Sequence, residues 1–186
     1  EKILILTNVK KIVFHDDNFS VNKKRLMAFC KYMEEKKLEW YCDFRVDSAD
    51  HKIIKTMSDS YCRKVFIGAE SGSNEVLEKI HKKITVKTLQ NSIECFKDSR
   101  INVEMSWIIG FPDERKEDIM ATLELVKWIK GQLPESIHFV KAYTPYPGTE
   151  LFKRAVELGF TAPTKLEDWA NFTRDNCNLD YIKDKW

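Results

Sequence analysis

Five short apolar runs in this chain each end in a cluster of polar side chains. Ile12-Val13-Phe14 leads into His15, Asp16, Asp17 and Asn18, and Trp40-Tyr41-Cys42 leads to Arg45 and Asp47. Val65-Phe66-Ile67 leads to Glu70, Ser71 and Ser73, and Trp107-Ile108-Ile109 to Gly110, Pro112, Asp113 and Glu114. A fifth run, ending at Tyr143, is followed by Thr144, Pro145, Tyr146, Pro147 and Gly148. Side chains of these types can grip a charged small molecule, because a carboxylate pairs with an ammonium and a planar guanidinium donates twice to a carboxylate. Asp16 and Asp17 could also do acid–base work. Adjacent residues in an extended segment point to opposite faces, however, so at most one of the two faces a common centre. A metal at His15-Asp16-Asp17 would instead make a barrel hydrolase. That reading needs ligands from other strand ends, and His51, His81 and His138 show no HxH, HxxxH or HExxH spacing.

Each cluster also has a purely structural use. Asp17, Asn18 or Ser20 can cap a following helix, and Gly72 with Ser73 can turn and cap. Pro112 can stop strand pairing, Gly148 can close a tight turn, and Arg45 with Glu70 can form a buried ion pair.

The elements that must position these clusters alternate along the chain. Strands are expected over residues 11–14, 39–44, 64–68, 102–109 and 137–143. Between them, Leu26, Phe29, Cys30 and Met33 recur at helical spacing, as do Val86, Leu89, Ile93 and Phe96 behind a capping Thr85. Ile53, Ile54 and Met57 mark a shorter helix. Ile119, Leu123 and Val126 mark another, behind acidic Glu117 and Asp118, which suit a helix N-terminus. This alternation predicts an α/β fold with a parallel sheet and right-handed crossovers. In a parallel barrel the carboxyl ends of the strands share one face, where ligands bind. Five clusters on one such face point to one site. The pattern weakens after Gly159, so residues 1–160 read as a barrel-like domain and 161–186 as a polar C-terminal extension with one short helix near 166–172. The first six residues read as the tail of a helix.

Composition narrows the classes. A hydrophobic content of 43% over 186 residues supports a packed core. A net charge of +2, with both signs mixed, gives no basic patch for nucleic acid. No apolar run approaches the roughly 20 residues of a membrane span and no signal peptide opens the chain, so a cytoplasmic protein is expected. The five cysteines, at 30, 42, 62, 95 and 177, form no CxxC or zinc-ribbon spacing and read as reduced thiols, with no metal site of their own. Cys30 and Cys95 fall on apolar helix faces and are expected in the core.

Five stretches in this order resemble the radical S-adenosylmethionine (radical SAM) superfamily: VFHDDNF at 13–19, FRVD at 44–47, IGAESGS at 67–73, WIIGFPDE at 107–114 and YTPYPGTE at 143–150. The likeness is to the branch that often carries a cobalamin-binding domain and includes the magnesium-protoporphyrin IX monomethyl ester oxidative cyclases. The resemblance implies a partial, open TIM-like barrel of six parallel strands, of which the five here correspond to the second through sixth. It also implies an enzyme in which a [4Fe-4S] cluster, held by a CxxxCxxC loop after the first strand, reduces S-adenosylmethionine to yield a deoxyadenosyl radical. That strand and loop are missing from this sequence. The expectation is therefore a fragment cut downstream of the cluster motif, which alone neither binds the cluster nor does radical chemistry.

The resemblance assigns roles only by position. Asp16 and Asp17 match the segment near the amino group of the methionine moiety, and Arg45 a basic position facing its carboxylate. Glu70, with Ser71 beside it, matches the polar position near methionine and ribose. Ile108 and Gly110 match the strand whose backbone contacts adenine, although Ser106 and Asp113 depart from the GxIxGxxE pattern there. Tyr143 is the candidate for stacking near the adenine. No residue is assigned to catalysis. Implied partners are a small-molecule substrate, a reductant such as flavodoxin or ferredoxin, cobalamin through an upstream domain, and a second copy at the sheet edge left open. Implied reactions are oxidative cyclisation, methyl transfer or a related step; a noncatalytic binding domain without the cluster is the alternative within the family.

After anaerobic reconstitution with iron and sulfide, the purified chain should stay colourless, because its cysteines offer no three thiolates in one loop. Stoichiometric iron with visible charge-transfer absorbance would contradict this reading of the cysteines.

Overall fold

The structure is a computed structural model and describes residues 9–170. Strands β1 (Lys11–Phe14), β2 (Glu39–Asp43), β3 (Cys62–Glu70), β4 (Asn102–Ile109) and β5 (Ile137–Ala142) form one parallel sheet in sequential order. This is the expected open α/β arrangement, with β1 at one edge. β3 starts two residues earlier and ends two later than its apolar run suggested, while β2 and β5 each stop one residue sooner.

Seven helices accompany the strands among the described residues: α1 (Lys23–Lys36), α2 (His51–Asp59), α3 (Asn74–Lys79), α4 (Val86–Phe96), α5 (Lys116–Gln132), α6 (Glu150–Glu157) and α7 (Leu166–Trp169). Thr85 caps α4 as expected, in a reciprocal box with Thr88. The cap of α1 is Asn22, whose side chain accepts from the Arg25 amide at 3.0 Å, rather than Asp17, Asn18 or Ser20. Asn18 instead accepts from both the amide and the hydroxyl of Ser20, at 3.1 and 2.8 Å. Helices α3 and α6, unforeseen in the sequence, are short and begin at hydroxyl caps, Ser73 and Thr149.

The core lies between the sheet and its helices. Trp40, Cys42, Val65, Ile67, Val103, Met105 and Trp107 alternate onto that side and meet Leu26, Met33, Ile54, Leu89, Phe96 and Ile129. The intervening positions, Tyr41 and Asp43, Lys64, Phe66 and Glu70, occupy the other, concave face. Cys30 is buried as expected, and Cys95, in the last turn of α4, is half-buried and packs against the edge of the core. Leu123, expected on the inner face of α5, is exposed. That helix buries Asp118, Ile119, Thr122, Leu125 and Ile129, so two polar residues take inner places that an apolar-period reading cannot see.

Past β5, Ala155 and Phe160 form a small second cluster with Tyr143, Phe152, Leu158 and Ala162, which joins residues on both sides of the expected boundary at 160/161. Helix α7 occupies the start of the short helix expected over 166–172. Residues 171–172 of that stretch, the opening helix tail and Cys177 lie outside the described residues. No helix among the described residues is long and apolar enough to cross a membrane.

β5 is fastened to the core by one polar relay. The buried Trp107 indole donates to Nδ1 of His138 at 3.0 Å, and Nε2 of His138 lies 3.0 Å from the Ser136 hydroxyl, which donates to the Leu133 carbonyl at 2.7 Å. An indole can only donate, so Nδ1 must accept and the ring must be neutral. Burial first, and Lys130 second, lower the pKa of His138. A group with a lowered folded pKa gives its stability above the unfolded value, near 6.5, and loses it as pH falls through that range. The protein should therefore lose stability between pH 7 and 5 more steeply than a His138→Gln variant, measured by urea unfolding; parallel curves would contradict the relay.

Candidate functional site

The end of β3 sets the geometry of the concave face. Register shifts between Gly68 and Glu70, and Glu70 turns into the left-handed region at φ 67°. Its carboxylate then folds back over Gly68, where a Cβ would stand 2.5 Å from Oε1. A side chain at position 68 would push that carboxylate aside. Lys82, from the loop after α3, meets the same carboxylate at 2.9 Å. Beyond Glu70 the chain is pinned to α5. The Ser71 hydroxyl lies 3.2 Å from that of Thr122, the Gly72 amide donates to Thr122 at 2.8 Å, and Ser73 donates to Asp118 at 2.7 Å. Gly72 passes so close to α5 that a Cβ would meet Thr122 Cα at 2.6 Å. Burial would raise the pKa of Asp118, but hydrogen bonds from Arg115 and Ser73 overcome it and bring the carboxyl to about 2.

These constraints open a cleft of about 500 Å³ at the ends of β1, β2 and β3, whose polar walls include Asp17, Asp43, Arg45, Glu70, Lys82 and Ser106. Asp17 lines it and Asp16, the other half of the acidic pair, does not. Arg45 and Glu70 share the cleft without pairing with each other, which corrects the ion pair considered from sequence. Arg45 grips Asp47 two residues on, through Nε at 3.1 Å and Nη2 at 2.7 Å, and Glu70 is taken by Lys82. Local reach decides this, since the side chain two residues away closes a tighter ring than one on the next strand. Phe44, Val46, Phe66 and Ile84 supply apolar walls.

Ile108, Gly110 and Tyr143 lie apart from that cleft, at the ends of β4 and β5. Ile108 is half-buried, and the Tyr143 ring packs on Phe111 with centroids 5.1 Å apart. Gly110 takes φ 82°, and Glu114 Oε2 accepts from its amide at 2.5 Å and from the Phe111 amide at 3.2 Å. Asp113, also left-handed at φ 62°, is held bidentately by Arg154 at 2.6 and 2.8 Å. Ser71 is fully buried, its hydroxyl against α5, and it does not line the cleft. Sequence reasoning passed over Asp43, Lys82 and Glu114. Alternation with Tyr41 would have placed Asp43 on the concave face; nothing in the Lys82-Lys83 pair marks which lysine reaches Glu70.

A larger cleft, about 770 Å³, opens at the opposite end of the sheet among Lys55, Asp59, Arg63 and Arg100. It gathers helix C-termini and salt-bridged surface charges, such as Lys55–Asp59, and size alone does not make it a site. Among the described residues no three His, Cys, Asp or Glu side chains converge as metal ligands. Burial pushes the Cys30 thiol up to about 11 and raises Cys62 as well, which disfavours the thiolates that an iron–sulfur cluster requires. The described cysteines do not fit a cluster.

Comparison with known proteins follows the same lines. A family model described as the Radical SAM superfamily matches residues 1–126. An uncharacterized methyltransferase of Pyrococcus horikoshii is 35% identical over 150 residues, covering 80% of this chain and 32% of the relative. The anaerobic magnesium-protoporphyrin IX monomethyl ester cyclase of Cereibacter sphaeroides is 24% identical over 159 residues, covering 82% of the chain and 25% of the relative. Among solved structures, the radical S-adenosylmethionine methyltransferase TsrM of Kitasatospora setae, with cobalamin and a [4Fe-4S] cluster bound, shares the fold at a TM-score of 0.71 and 14% identity. That match covers 87% of this chain and 34% of the other. The chain thus spans between a quarter and about a third of the length of these relatives.

Glu114 yields a test of the β4 end. Its second oxygen is buried without a hydrogen-bond partner among the described residues, and burial lifts its pKa to about 7 against the pull of the two amides. A raised carboxyl pKa favours the protonated folded form, so its ionisation costs stability as pH rises from about 4.5 to about 7. Glu114→Gln keeps an acceptor for both amides and removes the charge. It should match the parent near pH 4.5 and exceed it by about 1–3 kcal/mol at pH 8 in denaturant unfolding. Equal stability at pH 8 would contradict the assignment.

Proposed function

We propose, from the premise that this chain belongs to the radical SAM superfamily, that the cleft at the ends of β1, β2 and β3 holds the methionine end of S-adenosylmethionine. The observation that carries this reading is the convergence of Asp17, Arg45 and Glu70, from three separate strand ends, on one cleft. A zwitterion needs both signs of charge at its binding site, and these residues with Lys82 supply both. Asp17 pairs with the ammonium. Asp47 occupies Nε and Nη2 of Arg45, which leaves Nη1 for the carboxylate. Glu70, fixed in place by Lys82 and the turn behind it, accepts from the ammonium or a ribose hydroxyl. Ile108, Gly110 and the Tyr143 ring, on the neighbouring strand ends, serve the adenine. Asp16 and Ser71 do not line the cleft and have no part in it.

When bound beside a reduced [4Fe-4S] cluster, S-adenosylmethionine supplies a carbon-centred radical. This chain's share is to bind, orient and keep water away, with Phe44, Val46 and Ile84 lowering the dielectric around the charged contacts. The cluster's thiolates belong to another part of the protein. The complete protein is read as an enzyme of methyl transfer, cyclisation or a related reaction on a small molecule, as the names of its relatives suggest. A reductant such as flavodoxin or ferredoxin, cobalamin on a separate domain, a cytoplasmic setting, the division at 160/161 and pairing of a second copy at the β1 edge belong to the same proposal. Cobalamin rests on the least, since the cobalamin-bound neighbour shares only its fold with this chain. The hydrolase reading has no ligand set among the described residues to support it.

Equilibrium binding of S-adenosylmethionine to the cluster-bearing protein tests the assignment. The Arg45 side chain is 38% exposed, so solvent screens it and Arg45→Ala should weaken binding by about 1–3 kcal/mol, the range for one charged hydrogen bond. Glu70→Gln keeps the shape and should cost less, and Lys87→Ala, on the exposed side of α4, should cost nothing measurable. An Arg45→Ala protein that binds as tightly as the parent would overturn the role given to β2.

A further inference from the structure

A second cleft, of about 490 Å³, lies one layer nearer the start of the strands and shares Asp43 and Phe66 with the first. Its remaining walls include Val13, His15, Tyr41, Lys64 and Glu104. Most charges around the two clefts are already matched. Lys64 Nζ lies 2.5 Å from Glu104, Arg45 is held by Asp47, and Lys82 by Glu70. Asp43 is different. Its backbone carbonyl accepts from the Phe19 amide, but its carboxylate has no hydrogen bond or ion pair among the described residues. Burial disfavours its ionised form and nearby Asp17 adds to that, with only His15 in opposition. A half-buried carboxylate without a partner can pair with a cation brought by a ligand. The aromatic face beside it already attracts cations, for the ammonium groups of Lys11 and Lys64 lie 5.5 and 5.3 Å from the Tyr41 ring centre.

We propose that this second cleft is the substrate cleft and takes an amine-bearing organic molecule, its ammonium paired with Asp43 and its apolar part packed on Tyr41 and Phe66. The placement rests on the cofactor reading in one respect: across Asp43 and Phe66 the substrate lies directly against the cofactor cleft, where a radical generated there can reach it. The charge argument itself concerns Asp43 alone.

The test uses phenethylamine, which joins an ammonium to an aromatic ring, and its anionic counterpart 3-phenylpropionate. Both are titrated into the 186-residue chain and into Asp43→Asn and Asp43→Glu variants by ligand-observed NMR, with S-adenosylmethionine binding measured on the same samples. The parent should bind the amine at least roughly tenfold tighter than the acid, the scale of one charge-assisted hydrogen bond. Asp43→Asn should lose that preference and Asp43→Glu should retain most of it. Equal binding of amine and acid to the parent would overturn the inference without any variant. A loss of S-adenosylmethionine binding in Asp43→Asn, with amine binding intact, would also overturn it and give Asp43 to the cofactor. A parent that prefers the amine but does not bind S-adenosylmethionine would support this cleft and refute the cofactor reading.

Discussion

Glu70 is held in a left-handed backbone conformation at the last residue of β3, a region that costs an ordinary residue roughly 1–2 kcal/mol. Three contacts hold it there: the space left by Gly68 receives its carboxylate, Lys82 neutralises that carboxylate, and Ser71, Gly72 and Ser73 fasten the following turn to Thr122 and Asp118 of α5. Together they fix the direction in which the chain leaves β3, and with it the cleft walls formed by Gly68, Glu70 and Lys82. The strain lies beside the cleft proposed for the cofactor, and strained residues tend to cluster at such sites.

The rest of the sheet gives this turn a rigid base. On the helix side, alternate residues of β2, β3 and β4 form a close-packed apolar layer with Trp40 and Trp107 fully buried. On the concave side the same strands present Asp43, Lys64, Glu70 and Glu104, so one alternation separates stability from chemistry. In a low-dielectric wall an unmatched charge is costly, and most of these groups accordingly have partners within the protein. Asp43 and Asp17 lack one among the described residues, and in the proposed reading a ligand's charge completes each. The two clefts, joined at Asp43 and Phe66, give the concave face room for two molecules in contact.

Strand order and the face that carries the site were legible in the sequence because each apolar run ended in a polar cluster, and parallel strands bring such ends together. Asn22 capping α1 was not, since three other residues upstream had equal capping chemistry. Leu123 misled because α5 buries Asp118 and Thr122 to anchor the β3 turn, so its inner face is partly polar and apolar periodicity points the wrong way. The partners of Arg45 and Glu70 were also beyond reach. Asp47 wins Arg45 by being two residues away, and Lys82 reaches Glu70 across a loop whose path no local pattern records. Ser71 shows the converse: its place in a matching motif suggested a ligand contact, whereas its hydroxyl is spent on α5.

The central claim is that the ends of β1, β2 and β3 form the cofactor site, and amide shift mapping tests it most directly. On titrating S-adenosylmethionine into the isotopically labelled chain, the account predicts shifts concentrated at Asp17, at residues 44–47 and at residues 68–71, with Lys55, Arg63 and Arg100 in the larger cleft at the far end of the sheet unchanged. Shifts centred on Lys55, Arg63 and Arg100, with the β3 turn silent, would contradict it.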